Sequence, residues 1–375
     1  MRKHIIYRYF LFLSLVGLMQ LTLSCSSSSN EIEPLKPEGE DTPLEKDEYT
    51  FMNVEYRKWQ NGTFQAWTTA DSRETRTIDN MNWYTPSSDY SRTAWGGRIG
   101  LQPSSVVGKE GFFRVANCGG RSYLLDPDNG AVIIHGIQHV RPGESTAHKK
   151  AFGTRYGSEA QWSEETGKLL ADNHINYISY GSNRIEVFPA AVRGNLLTPK
   201  TQKIAYAENL YLLRTFMWDM SKNLGYAFDD DKYNRLVLLF EPTFATYIDR
   251  LVQEKSALFA GDRHFIGFYL DNELPFASYQ GTGYANTEGG GWLVHTQKNR
   301  GEFYQNFCLR LLETRNCVGW VHFEYNDGYD SNGKASNKGV VSIEYEPYES
   351  FLSQMRQLNL SVHSLIDYYD IKSVQ

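Results

Sequence analysis

From residue 131 onward the sequence alternates short apolar runs with segments of helical periodicity, and this alternation restricts the fold more than any other feature. The clearest runs are 131–137 (AVIIHGI), 175–180 (INYISY), 264–270 (HFIGFYL) and 318–323 (VGWVHF). A further strand is expected near 214–218 (RTFMW), after a short helix at 208–213. Between the runs, 158–172 starts with Ser158 and Gln161 in capping-box spacing and puts Trp162, Leu169 and Leu170 on one face. Residues 242–251 turn Phe244, Ile248 and Leu251 inward, 301–313 Phe303, Phe307 and Leu311, and 348–358 Phe351, Leu352, Met355 and Leu358. Apolar strands separated by amphipathic helices are covered on both faces, which indicates a parallel α/β sheet or barrel.

Several of these strands end in polar residues. Gln138, His139 and Arg141 follow the first, Ser182 and Asn183 the second, Asp271, Asn272 and Glu273 the fourth, and Glu324, Asn326 and Asp327 the last. In a (β/α)8 barrel the active site is built at that end of the strands, although a single polar tip also serves to cap the next helix. Glu273 stands out. Cleaving a glycosidic bond requires a proton donor at the leaving oxygen and a second carboxylate across the sugar. A Glu at the end of an apolar strand is desolvated, which raises its pKa towards acid duty near neutral pH. The neighbouring Asn272 offers a hydrogen bond to a sugar hydroxyl.

Three stretches resemble the agarase-like bacterial glycoside hydrolases of the retaining (β/α)8 clan. They are 123–128 (YLLDPD) with 136–143 (GIQHVRPG), 266–276 (IGFYLDNELPF), and 319–327 with 335–341 (ASNKGVV). The resemblance covers about residues 110–360. It implies a polysaccharide-cleaving TIM-barrel-like domain with Glu273 as general acid/base. His139, Asn183, Trp320 and His322 are read as a sugar-facing rim, with Asn272 beside the acid. The spacing departs from that pattern. Only 44 residues separate Glu273 from Cys317, where three further βα repeats of roughly 30 residues each are expected. The barrel is therefore read as incomplete, with an internal deletion between its fourth and eighth strands. Glu288, in the Gly-, Ser- and Asn-rich loop 278–291, is the candidate nucleophile, with Glu324 a second candidate. The alternative is a carbohydrate-binding lipoprotein that keeps the rim without catalysis; a third is a deleted chain that folds poorly.

The N-terminus bears on compartment. Arg2, Lys3 and Arg8 precede the 14-residue apolar run 10–23 (FLFLSLVGLMQLTL) and then Ser24-Cys25. The run is shorter than the roughly 20 residues a spanning helix needs and has the form of a secretory signal. The transition resembles a bacterial lipoprotein signal, implying removal of residues 1–24 and lipidation of Cys25. Residues 25–48, rich in Ser, Pro, Glu and Asp, read as a flexible tether. Residues 49–128 read as a β-rich region, with a hairpin of 111–115 and 121–125 turning at 117–120, and 129–375 as the barrel domain. The expected location is the bacterial cell envelope, at the outer membrane or cell surface.

Loss of residues 1–24 removes three positive charges and no negative ones, leaving 35 Lys and Arg against 44 Asp and Glu, a net of −9. With no basic cluster, nucleic acid is not an expected partner; a polysaccharide or oligosaccharide is, together with the membrane through the anchor. Cys118, Cys308 and Cys317 show no zinc or disulfide spacing, and no metal or other cofactor is expected. The 25 Tyr and 8 Trp suit either an aromatic core or stacking on sugar rings.

Overall fold

The structure is a computed structural model that describes residues 49–60, 63–87, 89–182, 188–224, 240–271, 292–328 and 337–372. In chain order the strands are β1 (Met52–Arg57), β2 (Trp59–Gln60), β3 (Thr63–Phe64), β4 (Asp71–Thr75), β5 (Ser105–Val107), β6 (Arg114–Cys118), β7 (Arg121–Leu125), β8 (Ala131–Val132), β9 (Ile134–Ile137), β10 (Tyr177–Ile178), β11 (Ala205–Asn209), β12 (Phe265–Tyr269), β13 (Leu293–Val294) and β14 (Gly319–His322). The helices are α1 (Thr146–Arg155), α2 (Glu159–Asp172), α3 (Ala190–Leu197), α4 (Leu212–Leu224), α5 (Phe244–Leu258), α6 (Gln297–Glu313) and α7 (Glu349–Lys372).

The centre is a five-stranded parallel sheet in the order β12-β11-β10-β9-β14. The last strand of the chain thus lies beside the first of the parallel set, with Gly319 opposite Ile134 and His322 opposite Ile137. Among the described residues β12 and β14 are the two edges of this sheet. A mixed α/β fold built on a parallel sheet is what the alternation of elements leads one to expect.

The N-terminal part is antiparallel. β5-β6-β7-β8 form one sheet and β13-β1-β4 another. The expected hairpin is present as β6 and β7, turning through Gly119 and Gly120, whose φ values of 60° and 80° belong to the left-handed region. The apolar run 131–137 serves two sheets. Ala131 and Val132 pair with β7, and Ile134–Ile137 enter the parallel sheet.

Two cores flank the parallel sheet. One packs Trp162 and Leu170 of α2 and Leu196 of α3 against Ile137, Ile178 and Tyr206. The other gathers Leu358, Val362 and Leu365 of α7, Cys308, Leu309 and Leu312 of α6, and Tyr123 and Leu125 of β7. The cap of α2 forms as its sequence predicts, Ser158 Oγ accepting from the Gln161 backbone N–H at 3.2 Å. The stripe Phe351, Leu352, Met355 and Leu358 is fully buried.

Three expectations are corrected. Residues 205–209 form the strand and 212–224 the helix, the reverse of a helix at 208–213 leading to a strand at 214–218. Leu213, Phe216, Met217 and Met220 recur at i, i+3, i+4 and i+7 and bury one face against α5, so the helical period outweighs the short aromatic run. On α6 the buried positions are Gly301, Glu302, Gln305, Cys308, Leu309 and Leu312, whereas Phe307 is exposed and Phe303 and Leu311 are only half-buried. The small Gly301 and Cys308 sides allow α7 to approach; a Cβ on Gly301 would come within 2.5 Å of Gln354. Finally, β12 is half-buried from Phe265 to Phe268 and exposed at Tyr269 rather than enclosed, being a sheet edge among the described residues.

Candidate active site

The carboxyl ends of β9, β10 and β11 open on a cavity of about 860 Å³. Its wall carries Glu208 and Asn209 from the end of β11, Tyr211 and Trp218 from α4 and the turn before it, and Arg141 from beyond β9. Asn209 is held by its side-chain oxygen, which accepts from the Tyr211 backbone N–H at 2.8 Å. Its amide nitrogen Nδ2 is buried without a protein partner. Trp218 is 55% exposed, with the Arg214 guanidinium 4.8 Å over its ring.

A tyrosine cluster adjoins this cavity. Tyr180, just beyond β10, lies 4.6 Å from Tyr269 at the end of β12 and 6.4 Å from Tyr211, centroid to centroid. The Tyr269 hydroxyl accepts from the Tyr177 hydroxyl at 3.2 Å and the Ser179 hydroxyl at 3.4 Å. Burial and the neighbouring Tyr269 push the Tyr177 phenol up, and burial does the same for Tyr211. Both stay protonated as hydrogen-bond donors at neutral pH.

Beyond β9 and β14, His139 and Glu324 meet, with Nδ1 to Oε2 at 3.1 Å. His139 has φ of 56° and packs against Gly181, where a Cβ would stand 2.3 Å from the imidazole. Gly181 is therefore the residue that lets the ring lie across the end of β10. Nδ1–H donation to Glu324 leaves Nε2 as an acceptor, an arrangement able to orient a hydroxyl or relay a proton.

The other strand tips serve the fold. Asp271 Oδ2 accepts from the Leu213 backbone N–H at 2.8 Å, closing the N-terminus of α4. Ser182 Oγ accepts from the Val140 N–H at 2.9 Å. Asp327 accepts from the Gly339 N–H at 2.7 Å and the Tyr348 hydroxyl at 2.6 Å. Capping thus accounts for part of the polarity that a sequence reader assigns to a site.

Of the predicted site residues, His139 stands at the strand ends as described. Trp320 and His322 are adjacent to each other but lie beneath the helices. Trp320 Nε1 donates to the Tyr304 hydroxyl at 2.6 Å, and His322 packs 5.0 Å from Phe351 with its Nε2 3.0 Å from the Lys338 carbonyl. Alternation along β14 puts both on the face covered by α6 and α7. Asn183, Asn272, Glu273, Glu288 and Cys25 lie outside the described residues. Glu208, Asn209, Tyr211 and Trp218 were missed because reading 208–213 as a helix hid the end of β11. The signal was the buried run Ile204-Ala205-Tyr206-Ala207 just before Glu208. No group of three or more His, Cys, Asp or Glu among the described residues is arranged to hold a metal ion, and no helix among them is long and apolar enough to cross a membrane.

Thirteen chains of solved structures match this one. BpGH50 superposes with a TM-score of 0.69 at 18% identity, over 88% of this chain and 98% of its own. The agarase AgWH50C gives 0.46 at 12% identity over 75% and 67% of the two chains, and PfGH50B 0.44 at 11% over 75% and 70%. No protein-family model matches, and no curated protein does. The BpGH50 superposition shows that the two chains share a fold.

Proposed function

We propose that this chain is a polysaccharide-directed glycoside hydrolase of agarase-like type, with Glu273 as its general acid/base. The observation that carries the reading is the cavity at the carboxyl ends of adjacent parallel strands, lined by Trp218, Tyr211, Asn209 and Glu208. An aromatic face, an unpaired amide donor and a carboxylate in one concavity suit a sugar ring with its hydroxyls. The fold shared with BpGH50, whose name carries the GH50 designation, supports the same class. The strand order β12-β11-β10-β9-β14 is that of strands four, three, two, one and eight of a (β/α)8 barrel. On this reading β12 is the fourth strand, and Glu273 follows two residues after Asp271, whose hydrogen bond to Leu213 anchors the chain there.

Sugar binds over Trp218 and Tyr211, and Glu273 protonates the leaving glycosidic oxygen. In a retaining mechanism a second carboxylate about 5–5.5 Å from the acid forms the glycosyl-enzyme intermediate; Glu288 and Glu324 are the candidates. Glu324 already bonds His139, which favours Glu288 for attack and gives His139 and Glu324 a substrate-orienting role. Cys25 carries the lipid anchor that holds the chain at the cell surface.

The test is release of reducing ends from agarose and from its sulfated relatives by the purified chain. Turnover that falls by roughly 10²–10⁴-fold in Glu273→Gln supports the proposal. Binding of these glycans without turnover by the unaltered chain gives the carbohydrate-binding reading instead. Detergent-phase partitioning lost in Cys25→Ser supports the anchor.

A further inference from the structure

A second polar cavity, of about 10 Å³, lies inside the fold where β9, α7 and the segments around Gly96, His174 and Gln202 meet. Three side-chain nitrogens of residues lining it have no protein partner: His135 Nε2, His363 Nδ1 and Gln202 Nε2. Their residues are only 5%, 2% and 7% exposed. A buried polar atom without a hydrogen bond costs about 1–3 kcal/mol, so three around one small space point to a shared ligand.

The remaining bonds of each residue determine what that ligand must offer. His135 Nδ1 lies 3.3 Å from the His174 carbonyl oxygen and donates to it, which leaves Nε2 as a bare acceptor. His363 Nε2 lies 3.4 Å from the Gly96 carbonyl and donates to it, which leaves Nδ1 as a second acceptor. The Gln202 side chain favours the charged form of His174, as an accepting amide oxygen does, and its amide nitrogen, a donor, is the atom left without a protein partner. The complement of two acceptors and one donor is a group that donates twice, accepts once and fills the volume of one small molecule. Water does this, and the space is at the lower limit for one water.

We infer that this cavity is a structural water site in which a single water donates to His135 Nε2 and His363 Nδ1 and accepts from Gln202 Nε2. The water ties β9, α7 and the segment entering β11 together. A metal ion would use the two imidazole lone pairs but would meet the Gln202 amide hydrogens head-on, with the Arg92 side chain lining the same space.

The test is a high-resolution crystal structure of the purified chain, with anomalous data at the zinc and copper edges, together with nitrogen-15 spectra of the histidine side chains. One solvent peak within hydrogen-bonding distance of all three nitrogens, without anomalous signal, is the expected result. The spectra should show opposite tautomers, Nδ1–H for His135 and Nε2–H for His363. An empty cavity, an anomalous peak on the two imidazoles, or a His135 proton on Nε2 would each overturn the inference.

Discussion

His135 and His363 make the chain sensitive to mild acid in a calculable way. Burial of the two imidazoles lowers each pKa to about 3, against an ordinary value near 6.5. The positive neighbours reinforce burial. His363, His174 and Arg92 oppose a charge on His135, against the hydrogen bond to the His174 carbonyl; Arg92 and Arg98 oppose one on His363, against the hydrogen bond to the Gly96 carbonyl and the Asp367 carboxylate. A depressed histidine pKa means that the unfolded chain binds a proton the folded chain refuses. Stability is therefore full above about pH 7.5 and declines as pH falls through 6.5 towards 3. Between pH 7.5 and 5 each histidine removes about 2 kcal/mol, and the pair about 4 kcal/mol. Neither is charged in the folded state in that window, so their mutual repulsion does not enter and the two contributions add. Set against a typical stability of about 5–15 kcal/mol, this is a large loss before most carboxylates titrate. Urea unfolding at several pH values between 7.5 and 5 measures it. His363→Gln, which keeps a polar side chain but cannot titrate, should flatten the slope below pH 6 by about 1.4 kcal/mol per pH unit relative to the parent chain. The other histidines with lowered pKa, His174, His264 and His322, steepen both curves equally and cancel in the comparison. Parallel slopes for the two proteins would show that His363 takes up its proton in the folded state and refute the reasoning.

Other perturbations test the fold and the proposed site separately. Asp271→Ala removes the acceptor for the Leu213 N–H and should cost about 1 kcal/mol in denaturant unfolding, with Asp271→Asn retaining most of it. Asp370 receives a two-pronged contact from Arg121, at 2.6 and 3.1 Å, and the guanidinium is wholly buried. Asp370→Ala strands that charge, and a loss of about 3–5 kcal/mol in the same assay is expected. Trp218→Ala, at an exposed position, should leave the melting temperature in place and weaken oligosaccharide binding by about 1 kcal/mol, read by calorimetry on the Glu273→Gln background. An unchanged affinity would remove Trp218 from the sugar-binding wall.

Local signals in this chain are legible and non-local ones are not. The Ser158 cap, the β6–β7 turn at Gly119-Gly120 and the buried stripe of α7 each depend on residues within a few positions of one another, and each forms as its sequence predicts. The helix at 212–224 was obscured because RTFMW is apolar and aromatic over the length of a strand, and only the wider i, i+3, i+4, i+7 pattern reveals its period. The inward face of α6 escaped notice for a different reason. Phe303 and Phe307 are larger than Gly301 and Cys308, but close approach of α7 rewards small side chains over apolar bulk. Strand tips carried a mixed message: Asp271, Ser182 and Asp327 are polar because neighbouring backbone N–H groups need acceptors, whereas His139 and Glu324 pair with each other at the open end.

What the amino-acid order determined by itself was the alternation of elements, and with it a parallel α/β sheet, since hydrophobic period and caps act over a few residues. Tertiary structure alone decided that β14 lies beside β9, that Glu208, Asn209, Tyr211 and Trp218 share a cavity, and that His135, His363 and Gln202 converge on another. Those groupings unite residues up to more than two hundred positions apart, and their cause is the packing of whole elements, which no short window of sequence contains.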